Sequence, residues 1–444
     1  GLGLVYLIAF ANVLGQFRPL LGERGLLPVP RYLRQVSFLE APSLFHVRYS
    51  DRLLQAVGIA GVLLSLTVAI GLPDRWPAIA GLAIWLCLWA LYLSIVNVGQ
   101  IFYGFGWETL LLEAGVLAAF LGPAWSAVPV PIVWLFRWLL FRLEFGAGLI
   151  KLRGDACWRD LTCLDYHHET QPMPNALSWF FHRLPKPLHR VEVLGSHFAQ
   201  LIAPPMLFLP QPFAGIAGAT IAVTQSWLVL SGNFSWLNLT TIVLSASAFD
   251  DRWLSYVAQS ATAVGWHDAL VLAVTGLVLA LSWRPVRNLF SRRQMMNASF
   301  DPLHLVNTYG AFGTVGRERF EVAVEGTRDG LDWLEYEFRG KPGDPRRRPR
   351  QWAPYHLRLD WLMWFAAISR AYAAPWFSPF IRKLLENDRA TLRLLGRNPF
   401  PDAPPKAVRA ILYRYRFTTW RERRETGASW VRVKVDDFLP PVSR

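Results

Sequence analysis

The sequence predicts a polytopic α-helical membrane protein of about nine helices, followed by a soluble, mainly β C-terminal domain with a helical insert. Of its 444 residues, 53% are hydrophobic and 21 are tryptophan, and the mean hydropathy is +0.24. Soluble domains rarely have such a composition. Charge divides the chain further: residues 285–444 hold 29 Lys+Arg against 17 Asp+Glu, whereas residues 1–284 hold 17 against 15.

Long apolar runs define the predicted crossings, because a helix needs about 20 mostly apolar residues to span the hydrocarbon core. Residues 193–249 carry no Lys, Arg, Asp or Glu and suffice for two or three crossings. Prolines between positions 204 and 212, and the triplet Ser231, Gly232 and Asn233, mark the turns inside this run. The other predicted crossings begin at residue 1 and occupy 53–73, 76–107, 114–136, 132–150 and 264–283.

Five ionisable residues lie inside these apolar runs or in the short gap between two of them, namely Glu108, Glu113, Arg137, Arg142 and Glu144. A charge facing lipid would cost several kcal/mol, so the sequence predicts that this intramembrane polar cluster points into the bundle and pairs. We expect Glu113 to pair with Arg142 and Glu144 to pair with Arg137. The cluster either locks helices together or lines a polar cavity.

A polar loop at residues 151–192 interrupts the apolar part of the chain. Cys157 and Cys163 are spaced closely enough for a local disulfide, which would require an oxidising compartment, although two free buried cysteines also fit the pattern. His167 and His168 match no zinc signature, so no metal is expected. Lys151 ends an apolar run and either snorkels to the headgroups or acts as a desolvated base.

The segment at residues 169–190 brackets aromatic side chains with prolines. Trp179, Phe180 and Phe181 are expected at the membrane interface, with His182 and Arg183 facing water. The segment is thus predicted to form an aromatic platform on the membrane surface.

Beyond residue 293 the pattern changes to strand-like alternation of apolar and polar residues. The predicted strands are residues 318–327, 331–340, 408–417 and 430–438, and residues 340–351 are a loop rich in Gly, Pro and Arg. Residues 359–372 and 379–395 have helical character. The sequence therefore predicts a transmembrane domain at 1–293 and a soluble, mainly β domain at 294–444, and the charges alone leave open on which side of the membrane that domain lies.

The block "GDACWRDLTCLDYHHETQPMPNALSWFFH" (154–182) resembles the lipase maturation factor family, as do "NTYGAFGTVGRERFEV" and "QWAPYHLRLDWLMWFA" in the C-terminal part. This resemblance covers nearly the whole chain. It supplies a loop motif but no established catalytic site. The motif residues are Asp155, Trp158, Arg159, Asp160, Tyr166, His167, His168 and Glu169.

The resemblance implies a chaperone-like membrane protein that assists a secreted lipase or another exported client, with membrane lipids as further partners and no nucleic acid. It places the charged loops and the C-terminal domain on the lumenal side, opposite to the positive-inside rule and in agreement with a disulfide. The arginine-rich, cysteine-poor composition predicts the bacterial inner membrane, or the endoplasmic reticulum if the chain is eukaryotic.

A shorter stretch, "FGAGLIKLRGDACW", is similar to a segment of the vitamin K-dependent carboxylase and its bacterial relatives. That similarity would make Lys151 a base acting on a quinol-like or lipid substrate, with a quinone or lipid as cofactor. The chaperone-like interpretation requires no cofactor. Lys151 is essential under the carboxylase-like interpretation and dispensable under the chaperone-like one.

Overall fold

The computed structural model describes residues 1–250 and 265–444 and shows a helical N-terminal region followed by a C-terminal antiparallel sheet. Val264, which begins the last predicted crossing, lies outside the described residues. The α-helices of the N-terminal region, in chain order, are α1 Leu2–Leu21, α2 Val29–Tyr32, α3 Asp51–Ala69, α4 Ala78–Asn97, α5 Gly106–Ala118, α6 Val130–Arg153, α7 Ala156–Arg159, α8 Leu164–Thr170, α9 Ser178–His182, α10 Lys186–His197, α11 Ala203–Met206, α12 Phe213–Ser231, α13 Leu237–Ser245, α14 Gly265–Leu281 and α15 Trp283–Phe290.

Five helical stretches of the described residues are long and apolar enough to cross a membrane: α1, α3, α4, α12 and the continuous segment Gly265–Phe290. The predicted count of about nine crossings is not confirmed. The run at 114–136 is divided, because α5 ends at Ala118 and α6 begins only at Val130. The run at 193–249 contains one full-length helix, α12, between the short helices α11 and α13.

Helices α1 and α5 pack closely in the centre of the N-terminal region. The Tyr6 hydroxyl donates to the Leu111 carbonyl at 3.1 Å, and a Cβ atom at position 115 would lie 1.9 Å from that hydroxyl oxygen. Gly115 is therefore required by this contact, since a larger residue would separate the two helices.

The C-terminal part is built on a four-stranded antiparallel sheet of order β2-β1-β3-β4. The strands are β1 Arg319–Thr327, β2 Leu334–Tyr336, β3 Ala407–Phe417 and β4 Trp430–Ser443, and they confirm the four predicted strand positions. The remaining helices are α16 Arg358–Ile368, α17 Arg370–Ala373, α18 Phe377–Leu385, α19 Arg389–Leu392 and α20 Trp420–Thr426. Four of them, α16 to α19, form the predicted helical insert between β2 and β3.

The helical insert joins the sheet to the membrane helices. One apolar core contains Val5 and Phe10 from α1, Trp361 and Met363 from α16, and Val322 from β1. The C-terminal region therefore shares its core with the bundle instead of burying a separate one. This shared core fixes the position of the polar loop between the two parts.

Candidate functional site

The polar loop between α6 and α10 begins with a disulfide. Cys157 and Cys163 are bonded, both are fully buried, and their Cα atoms lie 4.7 Å apart. A tight turn brings them together, with the Thr162 amide donating to the Cys157 carbonyl at 2.8 Å. The bridged alternative is confirmed, and it holds the first part of the loop motif as one closed turn.

The first half of the loop motif fastens this turn to the end of the membrane bundle. The Asp155 carboxylate caps α7 by accepting the Cys157 amide at 3.0 Å, and the Trp158 indole donates to the Phe312 carbonyl at 2.8 Å. Arg159 donates to the Leu152 carbonyl at 2.6 Å, at the end of α6. Asp160 is exposed, and so it remains available to a partner in solution.

The second half of the loop motif turns toward the C-terminal sheet. The side chain of His167 packs against the Phe312 ring, with centroids 4.9 Å apart, while His168 lies 3.4 Å from a Glu192 carboxylate oxygen. Glu169 accepts the Phe417 amide at 2.5 Å. Tyr166 packs beneath the Arg317 guanidinium, whose carbon is 4.9 Å from the ring centre.

Arg319 links the loop to the sheet, and sequence analysis did not identify it. Its buried guanidinium donates to the backbone carbonyls of Glu169 at 2.8 Å and Gln171 at 2.5 Å. It also pairs with Glu321 at 2.5 Å on the same face of β1. The signal in the sequence was a pair of opposite charges two residues apart in a strand of alternating residues, which places both on one face.

His168, His189 and Glu192 bring three potential metal-ligand atoms within 4.8 Å of one another. Adjacent His167 faces Phe312 instead and lies outside this group. Both ring nitrogens of His189 already contact oxygen atoms, one of Asp165 at 3.2 Å and one of the Phe181 carbonyl at 3.0 Å. The histidine is therefore used in hydrogen bonds that join α8, α9 and α10.

The aromatic segment departs from the predicted membrane platform at Trp179, which is packed inside the protein. Trp179 is only 2% exposed, and its indole donates to the Thr418 carbonyl at 3.0 Å. Arg183 donates to the Phe417 carbonyl at 2.8 Å, and the Trp420 ring packs edge-on against Trp179 with centroids 4.5 Å apart. The prediction was wrong for Trp179, because the sheet supplies apolar surface that sequence reasoning assigned to lipid, whereas Phe180 remains 38% exposed.

Lys151 is buried at the end of α6, so it does not snorkel freely into water. Its ammonium donates to the Ser196 hydroxyl at 3.0 Å and lies 4.4 Å from the centre of the Trp158 ring. These contacts satisfy the ammonium within the protein and join α6 to α10 and α7.

Glu113 and Arg142 form the ion pair that the sequence predicted, and both side chains are at most 2% exposed. The same carboxylate accepts the Tyr309 hydroxyl at 2.8 Å and the Asn307 amide at 3.1 Å. Arg142 in turn donates to the Asn307 carbonyl at 2.6 Å. The pair thus fastens the segment before β1 to α5 and α6.

Glu108 belongs to a second buried network, centred on Arg358 at the start of α16. Arg358 donates to a Glu108 carboxylate oxygen at 2.8 Å and to the Asn12 side-chain oxygen at 2.8 Å. The Tyr92 hydroxyl donates to the other oxygen of Glu108. Buried charges need such pairing, and this network joins α1, α4 and α5 to the C-terminal region.

The predicted pair between Arg137 and Glu144 is not formed in the described part of the chain. Arg137 donates to the Ser247 carbonyl at 2.8 Å and the Leu207 carbonyl at 3.2 Å. Glu144 accepts the Gln225 side-chain amide at 2.6 Å. The expectation failed because carbonyls at helix ends lack intrahelical partners and satisfied the arginine instead.

Stability of the loop should depend on pH through His167 and His182. Burial lowers the pKa of each to about 3, with neighbouring cations adding to the effect. Both imidazoles are thus neutral when folded, and unfolding lets them bind protons once the pH falls below their ordinary value of 6.5. Between pH 7.5 and 5.5 the free energy of unfolding should fall by about 1.4 kcal/mol for each histidine.

Burial raises the pKa of the Glu169 carboxyl. As the pH falls, this group therefore raises the free energy of unfolding, opposite to the two histidines. Thermal unfolding of the purified protein at both pH values measures the net change. A His182→Phe variant should lose less stability over the same interval. An equal loss in the variant would contradict the assignment to His182.

Comparison with known proteins gives matches along the chain. Residues 1–256 match the lipase maturation factor transmembrane domain, and residues 305–440 match the lipase maturation factor C-terminal domain. Lipase maturation factor 1 of Bos taurus is 41% identical, covering 100% of this chain and 88% of its own length. Lipase maturation factor 1 and 2 of Homo sapiens are 40% and 30% identical, each covering 100% of this chain and 86% and 82% of their own lengths.

No solved structure matches the chain. The matches give no support to the hypothesis that the protein is a carboxylase-like enzyme with Lys151 as its base. Together with five apolar helices, the transmembrane-domain match makes this an integral membrane protein.

Proposed function

The chain belongs to the lipase maturation factor family, and from this we propose that it assists the folding or assembly of a secreted lipase or a similar exported client. The observation that carries the proposal is the match of both family domains to one chain. The relatives named lipase maturation factor cover the whole of it at up to 41% identity. A client-assisting protein needs a binding surface and no reacting group.

The proposed client-facing surface consists of the loop motif and the adjoining ends of the central strands β1 and β3. Arg319 and Glu169 bond the loop to β1 and β3, so the two parts move as one body. Asp160 and Trp420 are exposed on this body. The intramembrane polar cluster then serves to hold the bundle together, and α6, 24 residues long, crosses the membrane with its charges turned inward.

Co-expression with a secreted homodimeric lipase tests this function. The chain should raise the specific activity of the secreted lipase. A Lys151→Met variant at the same protein level should keep that effect, because the contacts of Lys151 with Ser196 and Trp158 are structural. Loss of all effect in Lys151→Met, with normal protein level, would favour the enzymatic alternative. No effect of the unmodified chain on any lipase would remove the proposed function itself.

We propose further that the loop and the domain at 294–444 lie outside the cytoplasm, in the bacterial periplasm or, in a eukaryote, the endoplasmic reticulum lumen. The Cys157–Cys163 disulfide supports this, since such bridges persist in oxidising compartments. Cells are lysed directly into denaturant that contains an alkylating reagent. The two cysteines should be labelled only after reduction. Labelling of both without reductant would place the loop in the cytoplasm.

A further inference from the structure

A second candidate site lies in the C-terminal region, away from the loop motif. It is a cleft of about 330 Å³ between the segment 339–352, Leu395 and Gly396, and the first residue of β4. Its lining includes five cationic side chains and one carboxylate, that of Glu337. The cations are Arg339, Lys341, Arg347, Arg348 and Arg350.

Two of the five cations have carboxylate partners inside the protein. Lys341 lies 3.1 Å from Glu321, and Arg347 lies 3.3 Å from Glu337. The described residues provide no carboxylate within ion-pair distance of Arg348 or Arg350, and both side chains are exposed. The cleft therefore carries an excess of positive charge that the protein itself does not neutralise.

Two indole N–H groups in the same cleft lack acceptors. Trp352 and Trp430 both line it, and the Nε1 atom of each is buried without a hydrogen-bond partner among residues 1–250 and 265–444. Trp430 is only 1% exposed. A buried donor without an acceptor costs about 1–3 kcal/mol, and an indole can only donate. An oxygen-rich anion in the cleft would satisfy both groups.

The cleft is held next to the end of a membrane helix. Asn233, just after α12, accepts the Trp352 amide at 2.6 Å and the Ala353 amide at 2.8 Å. Its side-chain amide donates to the Arg350 carbonyl at 2.9 Å. Since α12 is a candidate membrane span, the arginine segment lies at the level where lipid headgroups begin.

We propose that this cleft binds a phosphate group, held by Arg348 and Arg350 and by the indole N–H groups of Trp352 and Trp430. Arginine and N–H donors form short, charge-assisted hydrogen bonds with phosphate oxygens. The group comes either from the headgroup of an anionic phospholipid in the adjacent leaflet or from a soluble phosphate. The proposal is independent of the lipase-assisting function.

Binding to the purified full chain tests the proposal in two arms. In the first, inorganic phosphate is titrated calorimetrically against the protein in zwitterionic detergent. In the second, the protein is placed in nanodiscs of phosphatidylcholine with added phosphatidylglycerol, and the lipid it retains is measured by native mass spectrometry. If the protein retains phosphatidylglycerol and added phosphate displaces it, the bound phosphate group is that of a lipid headgroup. If phosphate binds and no phosphatidylglycerol is retained, the ligand is a soluble phosphate.

In the arm that shows binding, an Arg348→Ala/Arg350→Ala double variant should weaken it about tenfold or more, because two charge-assisted contacts are lost. Trp430→Phe should weaken it several-fold while keeping the ring that stacks on Phe417. If the Trp430→Phe variant does not fold, the Trp352→Phe variant is measured in its place. Arg346→Ala is the matched control, since it removes an exposed charge from the same segment outside the cleft lining.

Two results would overturn the proposal. The first is the absence of phosphate and phosphatidylglycerol binding in both arms. The second is an equal loss of affinity in Arg346→Ala and in the double variant, which would show only nonspecific attraction to positive charge.

Discussion

An Arg358→Met variant is expected to lose about 3–5 kcal/mol of stability and to accumulate poorly. The guanidinium is fully buried and bonds to Glu108, Asn12 and the Phe102 carbonyl. Without it the Glu108 carboxylate remains buried with no cationic partner other than a His356 nitrogen at 4.0 Å in the described part of the chain, beside the Tyr92 hydroxyl. The amount of monodisperse protein and its thermal unfolding midpoint measure the loss.

Two further variants separate the charge from the packing. A Glu108→Gln/Arg358→Met double variant should recover part of the loss, because no unpaired carboxylate is then left in the core. Arg370→Met, in the nearby short helix α17, should change stability by less than about 0.5 kcal/mol, since its side chain is 65% exposed. A double variant no better than Arg358→Met would show that packing, not the ion pair, dominates.

An Arg319→Leu variant is expected to release the polar loop from the sheet. The buried guanidinium is the common donor to the carbonyls of Glu169, Gln171 and Pro172 and the partner of Glu321. Its loss should cost about 3–5 kcal/mol, expressed first as local opening of residues 160–185. Limited proteolysis should show faster cleavage there, and secreted lipase activity should fall with it.

Arg317→Leu provides the matched control for this prediction. Arg317 lies two residues away and is 63% exposed, and its contacts with the loop, to Asp155 at 3.8 Å and over the Tyr166 ring at 4.9 Å, lie at the surface. It should leave the cleavage rate nearly unchanged. Unchanged cleavage in Arg319→Leu as well would show that the loop is held by the disulfide and apolar contacts alone.

Periodicity and composition predicted much of the fold because they report the environment of each segment. Alternation in residues 318–327 and 408–417 identified β1 and β3, which pair from Arg319 opposite Tyr415 to Thr327 opposite Ala407. Five apolar helices also emerged as expected, but the crossing count did not, because an apolar run shows burial without showing whether lipid or protein surrounds it. The segment around Trp179 failed for the same reason.

The site was predicted where its residues are close in sequence or share adjacent helices. Cys157 and Cys163 are 6 residues apart, and Glu113 and Arg142 lie on consecutive long helices. Arg319 and the orphan indoles of Trp352 and Trp430 could not be inferred, because their roles depend on groups from other elements.

The sequence by itself therefore determined five apolar helices, the β strands, the candidate disulfide and the pairing of Glu113 with Arg142. Each follows from local spacing and from the free energy of placing a side chain in water or lipid. Only the tertiary structure decided that Arg358 meets Glu108 across 250 positions and that Arg319 meets the loop across about 150. A buried charge requires a partner, but its partner is chosen by how the chain folds back.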